Sequence, residues 1–132
     1  MILGFDPGRD KCGLAVMDKR QQLLYHQVVQ SADALATMQN LCQQFAVEIV
    51  VMGDQTTAKS WKQKIEQLNL ALPIFMVDER YSSLEARDRY WQMYPPKGLD
   101  RLIPKGLREP PRPIDDLVAI LLIERYLAKN RI

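Results

Sequence analysis

Histidine is almost missing from this chain, and cysteine is scarce. His26 stands alone, and the two cysteines, Cys12 and Cys42, lie far apart and form no CxxC pair. Zinc sites draw mainly on these two residue types, so no zinc centre is expected. A disulfide framework is not expected either, which points to a reduced, cytoplasmic protein. Long apolar runs are lacking too: Gly4 and Asp6 interrupt the N-terminal one, and none approaches the ~18 residues of a membrane span. The basic segment and small-residue cleavage site of a signal peptide are missing, as is any nucleophile-elbow motif. Net charge is only +2, so any basic surface must be local. With no repeat, low-complexity segment or second domain in view, residues 1–132 are expected to form one domain that buries its own core.

What the chain does have is a clear succession of strand and helix patterns. Met1 to Asp6 reads as a strand that runs out at a carboxylate. Pro7 fixes φ and has no N–H, and Gly8 tolerates φ > 0, so the strand ends abruptly and Cys12 to Met17 returns as a second. Gln22 to Val29 makes a third, completing an antiparallel meander in which His26 is expected at the surface or across from a neighbouring strand. Ser31 is expected to cap a helix from Ala32 to Phe45, with an apolar stripe through Leu35, Met38, Leu41, Cys42 and Phe45. Val47 to Met52 reads as a strand buried on both faces. A helix capped by Thr56 or Thr57 follows, and then a further buried strand, Leu72 to Val77. Ser82 to Glu85 matches a capping box that opens a helix to about Met93. The connection from Tyr94 to Pro113 holds six of the eight prolines, which excludes a regular helix there. An apolar helix starts at about Ile114.

This order, three strands and then helix, strand, helix, strand and two helices, predicts an α/β protein with a ribonuclease H-like mixed five-stranded sheet. The meander would be joined by two parallel strands, with the first strand beside the fourth. Asp6, Asp54 and Asp78-Glu79 then fall at strand ends along one sheet edge, where open α/β sheets gather ligands. Asp115 and Asp116 open the last helix, where the helix dipole favours negative charge in any case. Asp78 and Glu79 point to opposite faces, so one of them can join a cluster. Asp54 reads first as the cap of the helix after it and second as an extra ligand. Carboxylates held together by Mg²⁺ or Mn²⁺ suit hydrolysis of a phosphodiester, because two such ions about 3.5–4 Å apart activate water and stabilise the leaving oxygen. Neither histidine nor a nucleophilic serine is needed.

Three stretches carry a resemblance. Ile2-Leu-Gly-Phe-Asp6-Pro-Gly with Gly13-Leu-Ala-Val, Val77-Asp78-Glu79-Arg80 with its following helix, and Ile114-Asp115-Asp116-Leu-Val-Ala119 together resemble the YqgF (RuvX) family. That family comprises Holliday-junction resolvases and ribosomal-RNA precursor nucleases, and its Asp-Pro-Gly is similar to that of the RuvC resolvases. The resemblance spans essentially the whole chain. It implies a metal-binding, catalytic triad of Asp6, Glu79 and Asp115, acting on branched DNA or precursor ribosomal RNA. Asp116 stands where many members have serine or alanine, and so competes with Asp115 for that role. After Gly53 this chain has Asp54-Gln-Thr-Thr where the family usually continues Leu-Pro.

Local basic segments offer a surface for nucleic acid. Lys97, Arg101, Lys105, Arg108 and Arg112 outnumber Asp100 and Glu109 in the proline-rich connection. Lys59 and Lys62 flank Trp61, an indole able to stack on a base, and Arg80 adjoins Glu79. Lysines on a helix are also ordinary solvated residues, and Trp61 equally suits the core. The first expectation is thus a metal-dependent nuclease, with no membrane partner; junction cleavage would imply a homodimer with two sites. The alternative is a non-catalytic nucleic-acid-binding or ribosome-assembly module on the same fold.

Overall fold

The computed structural model describes residues 1–55 and 57–130, apart from the side chain of Lys105. Thr56, one of the two residues expected to cap the second helix, lies outside the described residues. The elements are β1 (Ile2–Asp6), β2 (Lys11–Met17), β3 (Leu23–Gln30), α1 (Ala34–Gln44), β4 (Ile49–Gly53), α2 (Ala58–Glu66), β5 (Ile74–Val77), α3 (Ser82–Met93) and α4 (Asp115–Lys129). They build one mixed sheet in the order β3-β2-β1-β4-β5. The first three strands pair antiparallel, while β1–β4 and β4–β5 are parallel. This is the expected ribonuclease H-like arrangement, with β1 and β4 side by side at its centre.

Strand alternation divides the core into two layers. Leu3, Phe5, Leu14, Val16, Val50 and Met52 face α1 and α2. Ile2, Ala15, Met17 and Val51 face the other way, toward the buried run Leu117–Ile123 of α4 and Ala86 and Tyr90 of α3. By the same parity Asp6, Gly53 and Glu79 lie on the α4 side. The site is therefore built where the N-terminus of α4 crosses the ends of the central strands.

Several local expectations give way to tertiary contacts. Of the two roles open to Trp61 it takes the one in the core: it is 9% exposed and packs edge-on against Phe5, with ring centroids 5.3 Å apart. Ser31 opens a short 3-10 turn rather than capping α1, and its hydroxyl donates to the Gly8 carbonyl at 2.9 Å. Gly8 does not use positive φ. It is required for space, since a Cβ there would stand 2.1 Å from the Lys11 carbonyl oxygen. β5 is an edge strand, not a buried one, and leaves Phe75 and Met76 about 40% exposed. The capping box does not form: Ser82 makes no side-chain cap, and Glu85 pairs with Arg125 at 3.1 Å. Two 3-10 turns, Gly98–Leu102 and Lys105–Leu107, are the only regular pieces among the described residues of the proline-rich connection. No helix among the described residues is long and apolar enough to cross a membrane.

Candidate active site

Asp6 ends β1 between two glycines. Across the antiparallel pair its partner is Gly13; on the parallel side Gly53 lies one step beyond the Phe5–Met52 pair. Each glycine makes room for another carboxylate-bearing segment. A Cβ on Gly13 would sit 1.8 Å from the Asp115 carbonyl oxygen, so the first turn of α4 rests directly on bare backbone. A Cβ on Gly53 would sit 1.2 Å from Glu79 Oε1, so that side chain lies flat over the end of β4. Asp115 and Glu79 are thereby brought to either side of Asp6. Of the two residues after β5, Glu79 is the buried one, and Asp78 is exposed.

The electrostatics follow from that crowding. Burial first, and then the charges of Glu79 and Asp115, push the Asp6 carboxyl up to about 8. Glu79 is pushed up to about 7, chiefly by burial and next by Asp54, with the Asp6 carboxyl and Arg125 acting in the opposite direction. Burial also raises Asp115, while Lys11 works against the rise. Both Glu79 carboxylate oxygens are buried without a hydrogen-bond partner. Such orphaned acceptors are costly and call for a cation or a proton. All the donors are hard carboxylate oxygens, the set that Mg²⁺ or Mn²⁺ prefers. Among the described residues no three acidic, thiol or imidazole side chains are gathered closely enough to hold an ion outright. Asp6 instead neighbours Glu79 and Asp115 separately.

Asp116 points away from this cluster and is only 2% exposed. Its Oδ2 lies 2.7 Å from His26 Nδ1 on β3, and its Oδ1 accepts from Arg112 Nη1 and the Leu117 N–H, both at 3.0 Å. Fully occupied in this way, it pins α4 to the sheet and leaves Asp115 as the one of the two that neighbours Asp6. His26 is therefore neither a free surface group nor a simple cross-strand neighbour. Asp116→Ala is expected to cost about 2 kcal/mol, roughly 8 °C in Tm, less than for a fully buried pair because His26 and Arg112 are partly solvated. Thermal denaturation of the variant measures it.

Asp54 does not cap α2, whose N-cap is Thr57. Its Oδ1 accepts from the Glu79 N–H at 3.3 Å, which fixes the second residue after β5 against the end of β4. Arg125 of α4, not singled out from sequence, completes this brace by donating to the carbonyls of Asp78 and Arg80 at 2.6 and 2.8 Å.

The basic residues divide into two groups. Arg112 is spent on Asp116 and lies over the rings of Tyr90 and Tyr94. Arg108 is spent on the carbonyls of Asp100, Ile103 and Arg101, which it gathers to shape the connection. Both guanidinium groups are therefore already engaged within the chain. Arg80, Lys59, Lys97 and Arg101 are exposed. Lys59 and Lys62 line a groove of about 350 Å³ with Asp54 and Met76. The Lys105 side chain lies outside the described residues.

The sheet order, with acidic residues at the ends of β1 and β5 and at the start of the helix crossing them, defines a ribonuclease H-like protein. The solved Thermus thermophilus RuvC structure superposes on it with a TM-score of 0.55 at 17% identity, covering 98% of this chain and 96% of that one. The chain belongs to the RuvX family, described as Holliday junction resolvase, which it matches over residues 1–129. It is also 25% identical, over 154 aligned positions, to a Coxiella burnetii (strain RSA 331 / Henzerling II) protein named "Putative pre-16S rRNA nuclease". That match covers 99% of this chain and 94% of the relative. The Dugway 5J108-111 strain has a counterpart of the same name, identity and coverage.

Proposed function

We propose that this protein is a metal-dependent nuclease that hydrolyses phosphodiester bonds in branched DNA or precursor ribosomal RNA. On this reading one domain spanning residues 1–132 acts in the cytoplasm. The observation that carries it is Asp6 flanked by Glu79 and by Asp115 from two other segments, with two acceptor atoms of Glu79 buried and unpartnered. These three residues would hold Mg²⁺ or Mn²⁺. When bound, the cations would supply charge neutralisation and an acidified water at the scissile phosphate.

The rest is the work of the protein. Asp6, between Gly13 and Gly53 at the end of β1, would join the two outer carboxylates. Asp54 and Arg125 hold the backbone around Glu79, and Asp116 with His26 and Arg112 holds the helix that presents Asp115. Exposed cations at Arg80 and Lys59, and Lys62 along the neighbouring groove, border the same edge and suit a polyanion. Lys97 and Arg101 would extend that surface. Cleavage at a four-way junction, as distinct from trimming an RNA, would need two such sites and therefore a second copy.

The test is cleavage of junction DNA and of precursor ribosomal RNA by protein freed of contaminating nucleases. Activity should need Mg²⁺ or Mn²⁺, be lost in Asp6→Asn and Asp115→Asn, and survive in Asp78→Asn. If neither substrate is cut with either ion, the catalytic reading fails.

A further inference from the structure

Beside the carboxylates lies a groove of about 470 Å³ between edge strand β5 and the C-terminal half of α4, which shares Arg80 and Arg125 with the machinery just described. Its walls are aromatic and its rim is cationic: Phe75, Tyr81 and Tyr126, with Arg80, Arg125 and Lys129 around them. Phe75 and Tyr126 lie ring against ring, with centroids 5.3 Å apart. Tyr81 is 69% exposed, an unusual place for so large a ring, and its backbone holds φ at 61°. A non-glycine aromatic residue in the left-handed region carries strain of order 1 kcal/mol. The surrounding bonds over-determine that conformation. Asp78 Oδ1 accepts from the Arg80 N–H at 2.8 Å, the Ser82 N–H reaches the Glu79 carbonyl at 2.9 Å, and Arg125 grips two carbonyls of the same turn. The turn that buries Glu79 thus also holds out Tyr81, two residues on and at most about 7 Å away along the chain.

We propose that this groove is a stacking subsite for an unpaired nucleotide flanking the scissile phosphate. The base would lie on Tyr81 and the Phe75–Tyr126 pair, with backbone phosphates near Arg80 and Lys129. Neither Arg80 nor Lys129 makes a salt bridge to a described residue. Aromatic faces ringed by cations are what single-stranded nucleic acid requires, because every base offers a π-face and every linkage a negative charge. A second copy adding a strand to the β5 edge would meet a cationic rim with a like-charged one, which disfavours that occupant. The proposal rests on the nuclease reading only for its placement next to Glu79.

Binding can be measured apart from cleavage, by fluorescence anisotropy in EDTA with short single-stranded RNA and DNA probes and a fully paired duplex. Tyr81→Asn suits the test, because asparagine accepts the left-handed backbone without the ring. Its affinity for single strands should fall about tenfold, its duplex binding should be unchanged, and its Tm should be no lower than that of the wild type. Lys129→Gln should weaken single-strand binding and reduce the salt slope by about one unit. The RNA and DNA arms show which sugar is preferred. Wild-type-like single-strand affinity in both variants, or equal losses for duplex and single strand, would overturn the subsite. So would a concentration-dependent dimer that Tyr81→Asn dissolves while nucleotide binding stays the same. Binding that depends on Tyr81 in a protein that cuts nothing would leave the groove standing and remove only the catalytic reading.

Discussion

Asp6→Asn is expected to lower cleavage by roughly 10³-fold or more and, in the absence of divalent ions, to make the protein more stable at pH 8. The two effects share one cause. Burial, Glu79 and Asp115 raise the Asp6 carboxyl from 3.8 to about 8. Between those values the folded protein holds a proton that the unfolded chain has released. Stability therefore falls as pH rises through this window and levels off above pH 8. Glu79, raised from 4.5 to about 7, adds to the same trend. Asparagine removes the charge while keeping the shape, so the variant should lose much of that slope. At pH 8 it should gain on the order of 2 kcal/mol, roughly 8 °C. Adding Mg²⁺ or Mn²⁺ should raise the wild-type Tm at pH 8 and leave Asp6→Asn nearly unmoved. Melting curves at pH 5 and pH 8, with and without the ion, measure all of this. A variant no more stable than wild type at pH 8 would mean that the carboxylates are not crowded as described.

Gly53→Ala should separate activity from stability most cleanly. The new Cβ would fall 1.2 Å from Glu79 Oε1 and 1.9 Å from its Cδ, a position the side chain has to vacate. Glu79 can swing toward solvent, and Gly53 has no positive φ that alanine would strain. The fold should therefore lose less than about 1 kcal/mol. Displacement of a positioned carboxylate by an ångström or more should cost about 100-fold in kcat. Rates and melting temperatures measured on one preparation test this. Full activity in Gly53→Ala would show that the observed Glu79 position is not the working one.

The sheet order was legible because each segment announced itself locally. Apolar runs ending at Asp6, Gly53 and Val77 could only be strands, and the prolines between Tyr94 and Pro113 ruled out a helix. The carboxylates stood out for the same reason, since charges at strand ends contrast with the apolar runs before them. Gly13 and Gly53 were less readable. A glycine in sequence says that space or φ is needed, but not which other segment uses that space. Which of Asp115 and Asp116 turns away from Asp6 depends on His26, ninety positions away, and on Arg112, and no helical periodicity carries that information. Counting charges in the basic connection ignores the carbonyl oxygens beside them. Arg108 had three nearby to bind before any phosphate.

α4 is the last element among the described residues, and it supplies both the buried run Leu117–Ile123 and the third acidic group. A growing polypeptide stopped before Asp115 would carry Asp6 and Glu79 but nothing to complete the set. The same docking event that seals one side of the sheet therefore also delivers the carboxylate that the proposed site requires, so core closure and site assembly are one step.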